Sequence, residues 1–276
     1  MSDFSILCLN GGGILGALQV GALTEFSKTI GNPDLYTVFL DGVYGVSIGS
    51  LICTLIAFKF SITEIVELSE TLLNLDNILE PPRLESILGL NKRQGLDTGS
   101  NIYKCLKSIL GSKRLDIDTL KIGDAAIPLY IVASDISRCK HVIFNEEVLV
   151  WDAIRASISL PLIFTPHIIK GRVFVDGAIL CKNVFRLVPI GQRKQVLVLF
   201  CSNLNTTNIE KASASTLMSH VFNASYLIEH RWLKNTFPKN VCLLSDPTVS
   251  VIEPETDISK IIETGSSLYR LFLAES

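Results

Sequence analysis

Basic residues are not in excess in this chain of 276 residues, where 25 Lys and Arg stand against 27 Asp and Glu, a formal net charge of -2. Binders of nucleic acid need that excess to neutralise phosphates, so nucleic acid is excluded as the main partner. No CxxC pair occurs among the seven cysteines, Cys8, Cys53, Cys105, Cys139, Cys181, Cys201 and Cys242; their number is odd and their spacing wide. Neither a disulfide frame nor a zinc site is built that way. The pattern reads as reduced thiols in a cytosolic chain, most of them buried as small hydrophobes. No metal or cofactor is expected. Met1-Ser2-Asp3-Phe4 lacks the basic start and apolar run of a signal peptide. Long apolar runs are scarce too. Val38 to Phe58 comes nearest, with Asp41 as its only charge, and about 20 such residues would cross a bilayer. Gly42, Gly45, Ser47, Gly49 and Ser50 cluster in its middle, however, and suit a sharp turn between a buried strand and a buried helix. The expectation is a cytoplasmic protein without a transmembrane helix, touching membranes only peripherally. Internal repeats, low-complexity tracts and linkers are absent as well.

What is there is apolar and ordered in units. Hydrophobic residues make up 48% of the chain and charged residues 19%, with a mean hydropathy of +0.40. That suits one large domain over residues 1–276 with a sizeable core. Ser5 to Leu9 reads as a buried strand, Ala17 to Phe26 as a helix, Thr37 to Tyr44 as a second strand and Ser50 to Phe60 as a second helix. Strand-loop-helix units in succession predict an α/β fold with a mostly parallel sheet. Ile62 to Leu79 has helical spacing and stops at Pro81-Pro82. A further helix is predicted to start at Asp97-Thr98-Gly99-Ser100 and run through Ile102 to Leu110, and others over Trp151–Ser157, Lys211–Asn235 and Asp257–Leu273. Further strands are predicted over Leu129–Ala133, Val142–Phe144, Arg172–Val175, Val196–Phe200 and Val241–Leu244. Residues 91–94 read as an exposed charged loop.

Three motifs carry chemistry. Gly45-Val46-Ser47-Ile48-Gly49 fits G-x-S-x-G between a predicted strand and a predicted helix. A serine on so tight a turn projects its hydroxyl into open space, and the helix N-terminus favours negative charge nearby. Gly11-Gly12-Gly13-Ile14-Leu15-Gly16 also leaves a strand and enters a helix. Consecutive glycines can present several backbone N–H groups to one point, which suits an oxyanion or a phosphate. Asp176, in Asp176-Gly177-Ala178, lies where a strand ends. Held in a dry site against a hydroxyl, such a carboxylate can act as a general base, although Asp-Gly is also a common turn.

Together these motifs resemble those of patatin-like phospholipases, with a glycine-rich loop after the first strand, G-x-S-x-G on an early elbow and D-G-[GA] later. Ile154-Arg155-Ala156-Ser157 followed by Pro161, Phe164 and Pro166 resembles the family's A-S-x-x-x-P-x-x-F-x-P stretch. The resemblance implies a three-layer α/β fold with helices flanking the sheet, a motif-bearing core over about 4–190, and 191–276 packed on it. It implies Ser47 as nucleophile, Asp176 as its base and Gly11, Gly12 and Gly13 as the oxyanion loop. Gly16, Gly45, Gly49, Gly177 and Ala178 complete the motifs. The implied activity is hydrolysis of fatty-acyl esters of membrane glycerolipids through an acyl-serine, without cofactor or metal; some bacterial relatives need an activating protein. Two departures stand out. Leu15 occupies a place where the family often has Arg or Lys, and Asn183-Val184-Phe185 lacks the frequent proline.

Three other readings compete. Leu15 motivates a catalytically weak lipid-binding relative. Gly11, Gly13 and Gly16 also satisfy G-x-G-x-x-G, the mark of a dinucleotide-binding oxidoreductase. That site wants an acidic residue at the end of the second strand, and Asp34 precedes that strand. An α/β-hydrolase would use a histidine after Asp176, and His220 or His230 is available, but its elbow follows several strands rather than one strand-helix unit. Arg83 to Arg93, with Leu84, Ile87, Leu88 and Leu90 between basic ends, reads either as a lid or membrane-facing edge or as an ordinary packed helix.

Overall fold

The computed structural model describes residues 3–81, 94–202, 214–246, 249 and 257–275. Its strands are β1 (Ile6–Leu9), β2 (Gly42–Val46), β3 (Gly95–Asp97), β4 (Leu129–Asp135), β5 (Lys140–Ile143), β6 (Leu162–Phe164), β7 (His167–Ile169), β8 (Arg172–Asp176), β9 (Val196–Cys201) and β10 (Val241–Leu244). Its helices are α1 (Gly16–Ile30), α2 (Ile48–Ala57), α3 (Ile62–Leu72), α4 (Leu75–Ile78), α5 (Ser100–Ser112), α6 (Val150–Ser157), α7 (Ala214–Thr236) and α8 (Ile258–Glu275).

β10, β9, β1, β2 and β4 lie side by side and parallel; β8 and β7 extend the sheet antiparallel beyond β4, and β5 pairs with β4 as well. β1, β2 and β9 are wholly buried, which is why they read as unbroken apolar runs instead of alternating ones. Their two faces feed two cores. Leu7, Leu9, Val43, Ile131 and Leu197 pack with residues of α1, α2, α3 and α6. Ile6, Cys8, Val46, Val132 and Val198 pack on the other side with Tyr226 and Leu233 of α7 and with Val184, Phe185 and Val188. The architecture is therefore the expected α/β stack, a mostly parallel sheet between helical layers. No helix among the described residues is long and apolar enough to cross a membrane.

α1 packs against α8 more closely than side chains would allow. A Cβ added at Gly21 would lie 1.9 Å from the Ile262 carbonyl oxygen, and one at Gly265 would lie 2.2 Å from that of Leu18. The Ser266 hydroxyl donates to the Gly21 carbonyl at 2.9 Å. Helix α1, which leaves the glycine loop, is thus fixed in place by α8.

Several elements differ from the sequence expectation. β2 starts at Gly42, not Thr37, because Leu35–Thr37 closes a 3-10 turn capped by Asp34, with the Thr37 N–H donating to the Asp34 carbonyl at 2.9 Å. The helix expected through Leu79 breaks after Leu72. Asp97, expected at the start of a helix, ends β3 instead. β3, β6 and β7 have three residues each, too short for periodicity to show. The segment Arg83 to Arg93, read as a lid or packed helix, lies outside the described residues, as do residues 211–213 of the expected long helix.

Candidate active site

Ser47 follows β2 directly and is the only residue from Gly42 to Phe58 that is not fully buried. Its backbone has φ 53 and ψ -126, a conformation that costs about 1–3 kcal/mol and persists only where the surroundings enforce it. They do so from both sides. The Ser47 N–H donates to the Ser157 hydroxyl at 2.9 Å, and that hydroxyl donates to the Val132 carbonyl at 2.7 Å. The Ser47 carbonyl accepts from the Ser50 N–H at 2.8 Å and from its hydroxyl at 2.6 Å. Flanking glycines are required by space. A Cβ at Gly45 would meet the Gly49 carbonyl at 2.6 Å, and one at Gly49 would meet the Leu9 carbonyl at 2.5 Å.

Ser157 was legible as part of a motif, but its task was not. It is fully buried on α6 and ties the elbow to β4. Ser157→Ala leaves the Ser47 N–H unpaired, which is expected to lower stability by about 1–3 kcal/mol. Urea denaturation checks this; a variant with wild-type stability refutes the tie.

Asp176 ends β8, paired with Ala133 of β4, and is 2% exposed. Its N–H donates to the Ser159 carbonyl at 2.8 Å, and its carboxylate accepts from the Ala178 N–H at 2.8 Å. Ser159 is itself gripped by Arg155, whose guanidinium reaches the Ser159 hydroxyl at 2.6 Å and the Thr165 carbonyl at 2.8 Å. Gly177 is needed because a Cβ there would lie 2.3 Å from the Val132 carbonyl. Burial pushes the Asp176 carboxyl up to about 6, while the neighbouring Ser47 hydroxyl, the Ala178 N–H and the charge of Lys182 act in the opposite sense. Serine and carboxylate thus meet, although 129 positions apart.

The glycine loop closes the site. A Cβ at Gly11 would lie 3.1 Å from Ser47 Cβ, 3.4 Å from the Tyr226 hydroxyl and 3.6 Å from Ala178 Cβ. Gly12 is half-buried and Gly13 exposed. Among the described residues, none accepts a hydrogen bond from the N–H groups of Gly11, Gly12 or Gly13. Gly16 packs against Ile48 at the head of α2, where a Cβ would lie 2.5 Å from Ile48 Cγ1. Leu15 is buried in the apolar core, so the loop presents no cation of its own. In the stretch Asn183-Val184-Phe185, which lacks the expected proline, Val184 and Phe185 are buried as well, and Asn183 donates to Glu229 at 3.0 Å.

Two neighbours had no signal in the sequence. Tyr226, on α7, is buried, and its hydroxyl is pushed well above the ordinary tyrosine range by burial and then by the nearby charge of Asp176. Lys182 follows Asp176 in the next loop and holds its ammonium 5.1 Å from the centre of the Tyr226 ring. His167 pairs with Asp152 at 2.8 Å, His230 lies against Phe200 and His141 is exposed on β5, and none of the three is among the groups that act on Asp176; the side chain of His220 lies outside the described ones. Among the described residues no cluster of side chains fit to hold a metal occurs.

The sequence model described as patatin-like phospholipase matches residues 7–190. A curated relative, the uncharacterized protein R571 of Acanthamoeba polyphaga mimivirus, is 27% identical over 180 residues, 64% of this chain and 58% of that protein. The chain thus matches less than two thirds of that relative's length. VipD from Legionella pneumophila is similar in structure, with a TM-score of 0.58 at 16% identity, covering 99% of this chain and 67% of that one. Full-length ExoU from Pseudomonas aeruginosa, solved in complex with SpcU, gives 0.51 at 16% identity, covering 99% and 53%. At such identity these two likenesses show the fold.

Proposed function

This chain belongs to the patatin-like phospholipase family, and from that premise we propose that it is a serine acyl hydrolase of membrane glycerolipids. In this reading Ser47 is the nucleophile, Asp176 its general base, and the N–H groups of Gly11, Gly12 and Gly13 hold the oxyanion. Ser47 Oγ attacks the ester carbonyl carbon as its proton passes to Asp176. Negative charge gathers on the carbonyl oxygen, where preorganised donors act only as charge develops. Collapse expels the alcohol, which takes the proton back from Asp176, and leaves an acyl-serine. Water, deprotonated by the same carboxylate, attacks the acyl-serine and releases the fatty acid. A carboxylate base has no tautomer to fix, so this chemistry needs no third residue to orient it.

The observation that carries the reading is the strained Ser47, not wholly buried, whose hydroxyl is near enough to the buried Asp176 to act on its carboxyl, pushed up by burial to about 6, a value that suits proton transfer near neutrality. Peripheral membrane contact is part of it. Leu162, Ile163 and Leu180 are exposed at 55%, 38% and 43% on the segments that flank Asp176, where an acyl chain would leave a bilayer. One domain running from the motif-bearing core through residues 191–276 is also part of it, since β9 lies directly beside β1.

Fatty-acid release from mixed phospholipid vesicles, followed by mass spectrometry, tests the reading. Because ExoU was solved in complex with another protein, the assay is run with and without added cell extract. Release, together with labelling of Ser47 by a fluorophosphonate, is expected. Vesicle binding without release or labelling would instead favour a lipid-binding protein.

A further inference from the structure

Gln19 is a polar residue where an apolar one would pack. It lies fully buried near the start of α1, and its amide oxygen has no hydrogen-bond partner among the described residues, a cost that leucine there would not carry. Its amide nitrogen does what leucine could not. Nε2 donates to the Asn10 carbonyl at 2.9 Å and to the Leu199 carbonyl of β9 at 3.3 Å. Carbonyls only accept, so the nitrogen is the atom that faces them. Asn10, buried as well, holds Cys201 in both directions, accepting from its N–H at 2.8 Å and donating to its carbonyl at 3.0 Å. The chain that leaves β1 for the glycine loop is thereby fixed to β9 and α1.

The Asn10 carbonyl and the Gly11 N–H belong to one peptide unit. Such a unit is planar and, when trans, points its N–H opposite to its C=O; no cis bond occurs among the described residues. With its carbonyl held on Gln19, the unit turns the Gly11 N–H away from α1. Accepting a hydrogen bond at the carbonyl also polarises the amide, so that its N–H donates more strongly. Gly11 is packed against the serine, since a Cβ on it would lie 3.1 Å from Ser47 Cβ. Resting on the hydrolase reading, we propose that Gln19 is a positioning residue, which locks the peptide between Asn10 and Gly11 so that the Gly11 N–H is already aimed at the oxyanion when an ester arrives. A donor fixed in advance works on charge that appears only in the transition state, so Gln19 acts on the rate and hardly on substrate binding.

Hydrolysis of p-nitrophenyl butyrate is compared in wild type and Gln19→Met, with the folding of each checked by circular dichroism. kcat should fall about tenfold while KM changes less than about twofold, because the donor is misdirected and not removed. An unchanged kcat in the folded variant, or a loss carried by KM, would overturn the proposal. Gln19→Glu, of the same shape, serves if the methionine variant does not fold. Its buried acid is neutral at about pH 6 and donates in place of the amide, whereas the carboxylate cannot. Its kcat relative to wild type should hold there and fall about tenfold by about pH 10; a relative kcat flat across that range refutes the role. A spectroscopic reading keeps all this apart from any failure of the hydrolase reading. Asn10-Gly11 is the only Asn-Gly pair in the sequence, so protein labelled in the asparagine carbonyl carbon and the glycine nitrogen shows this one peptide as a single nuclear magnetic resonance signal. In Gln19→Met the carbonyl should move upfield as it loses its donor, and the Gly11 amide should broaden or split. Signals identical to those of the wild type refute the lock even if no ester is ever cleaved.

Discussion

Ser47→Ala is expected to abolish ester hydrolysis, with a fall in kcat of about 10^5-fold or more, as befits the loss of a nucleophile that works as a unit with its base. The fold should survive, because the tie from the Ser47 N–H to Ser157 and those from Ser50 to the Ser47 carbonyl use only backbone atoms of residue 47. The elbow adds a second, independent prediction. At φ 53 any side chain with a Cβ is strained, whereas glycine is not. Ser47→Gly should therefore be as inactive as Ser47→Ala yet more stable than it, by about 1 kcal/mol. Chemical denaturation of the two variants side by side reads the difference. Hydrolysis persisting in both, after purification free of contaminating esterase, would remove Ser47 from the mechanism.

Asp176→Asn should have two effects of opposite sign. Activity should fall about 10^4-fold, since an amide cannot take the proton. Stability near neutral pH should rise. Burial has moved this carboxyl from 3.8 to about 6, so the folded chain binds its proton more readily than the unfolded one does. The stability that this protonation contributes is fully present below about pH 4 and is lost as pH rises through about 6. A displacement of that size corresponds to at most about 3 kcal/mol, and asparagine escapes it while still accepting from the Ala178 N–H. The thermal midpoint of the variant should accordingly exceed that of the wild type at about pH 8, with the gap narrowing toward pH 5. In the wild type, kcat/KM should climb as pH rises through about 6 and then level off. A pH-independent gap, or a rate still rising steeply above pH 8, would show that Asp176 is not the titrating base.

Legibility in the sequence followed the range of the interactions. β1, β9 and β10 could be read because strands covered on both faces must be continuously apolar. The elbow could be read because Gly45 and Gly49 are demanded by contacts with neighbouring chain that nothing larger fits. β3 and β6 could not be read, because three residues paired across a long insertion carry no period. At the candidate site, Ser47, Asp176 and the loop glycines stood out through motifs, since the proposed chemistry asks for one residue type at each. Tyr226 did not. It reaches Gly11 from an amphipathic helix in which an aromatic residue is an ordinary choice for the core, and only the packing of α7 beneath the sheet shows where its hydroxyl lies. Lys182 stayed silent for the same reason, because a lysine near a turn is usually a solvated one.

The clamp of α8 on α1 has a consequence for synthesis. Residues 7–190 hold every motif, yet when they have left the ribosome β1 still lacks its β9 neighbour, and α1 lacks the helix that meets Gly21. The glycine loop hangs between these two unfinished elements. On the proposed reading, a nascent chain at that stage carries serine and carboxylate but no settled loop to hold the oxyanion, so hydrolysis should begin only once α8 has been translated and has docked. Ribosome-bound chains stalled before Ile258 should therefore ignore a fluorophosphonate that released chains accept.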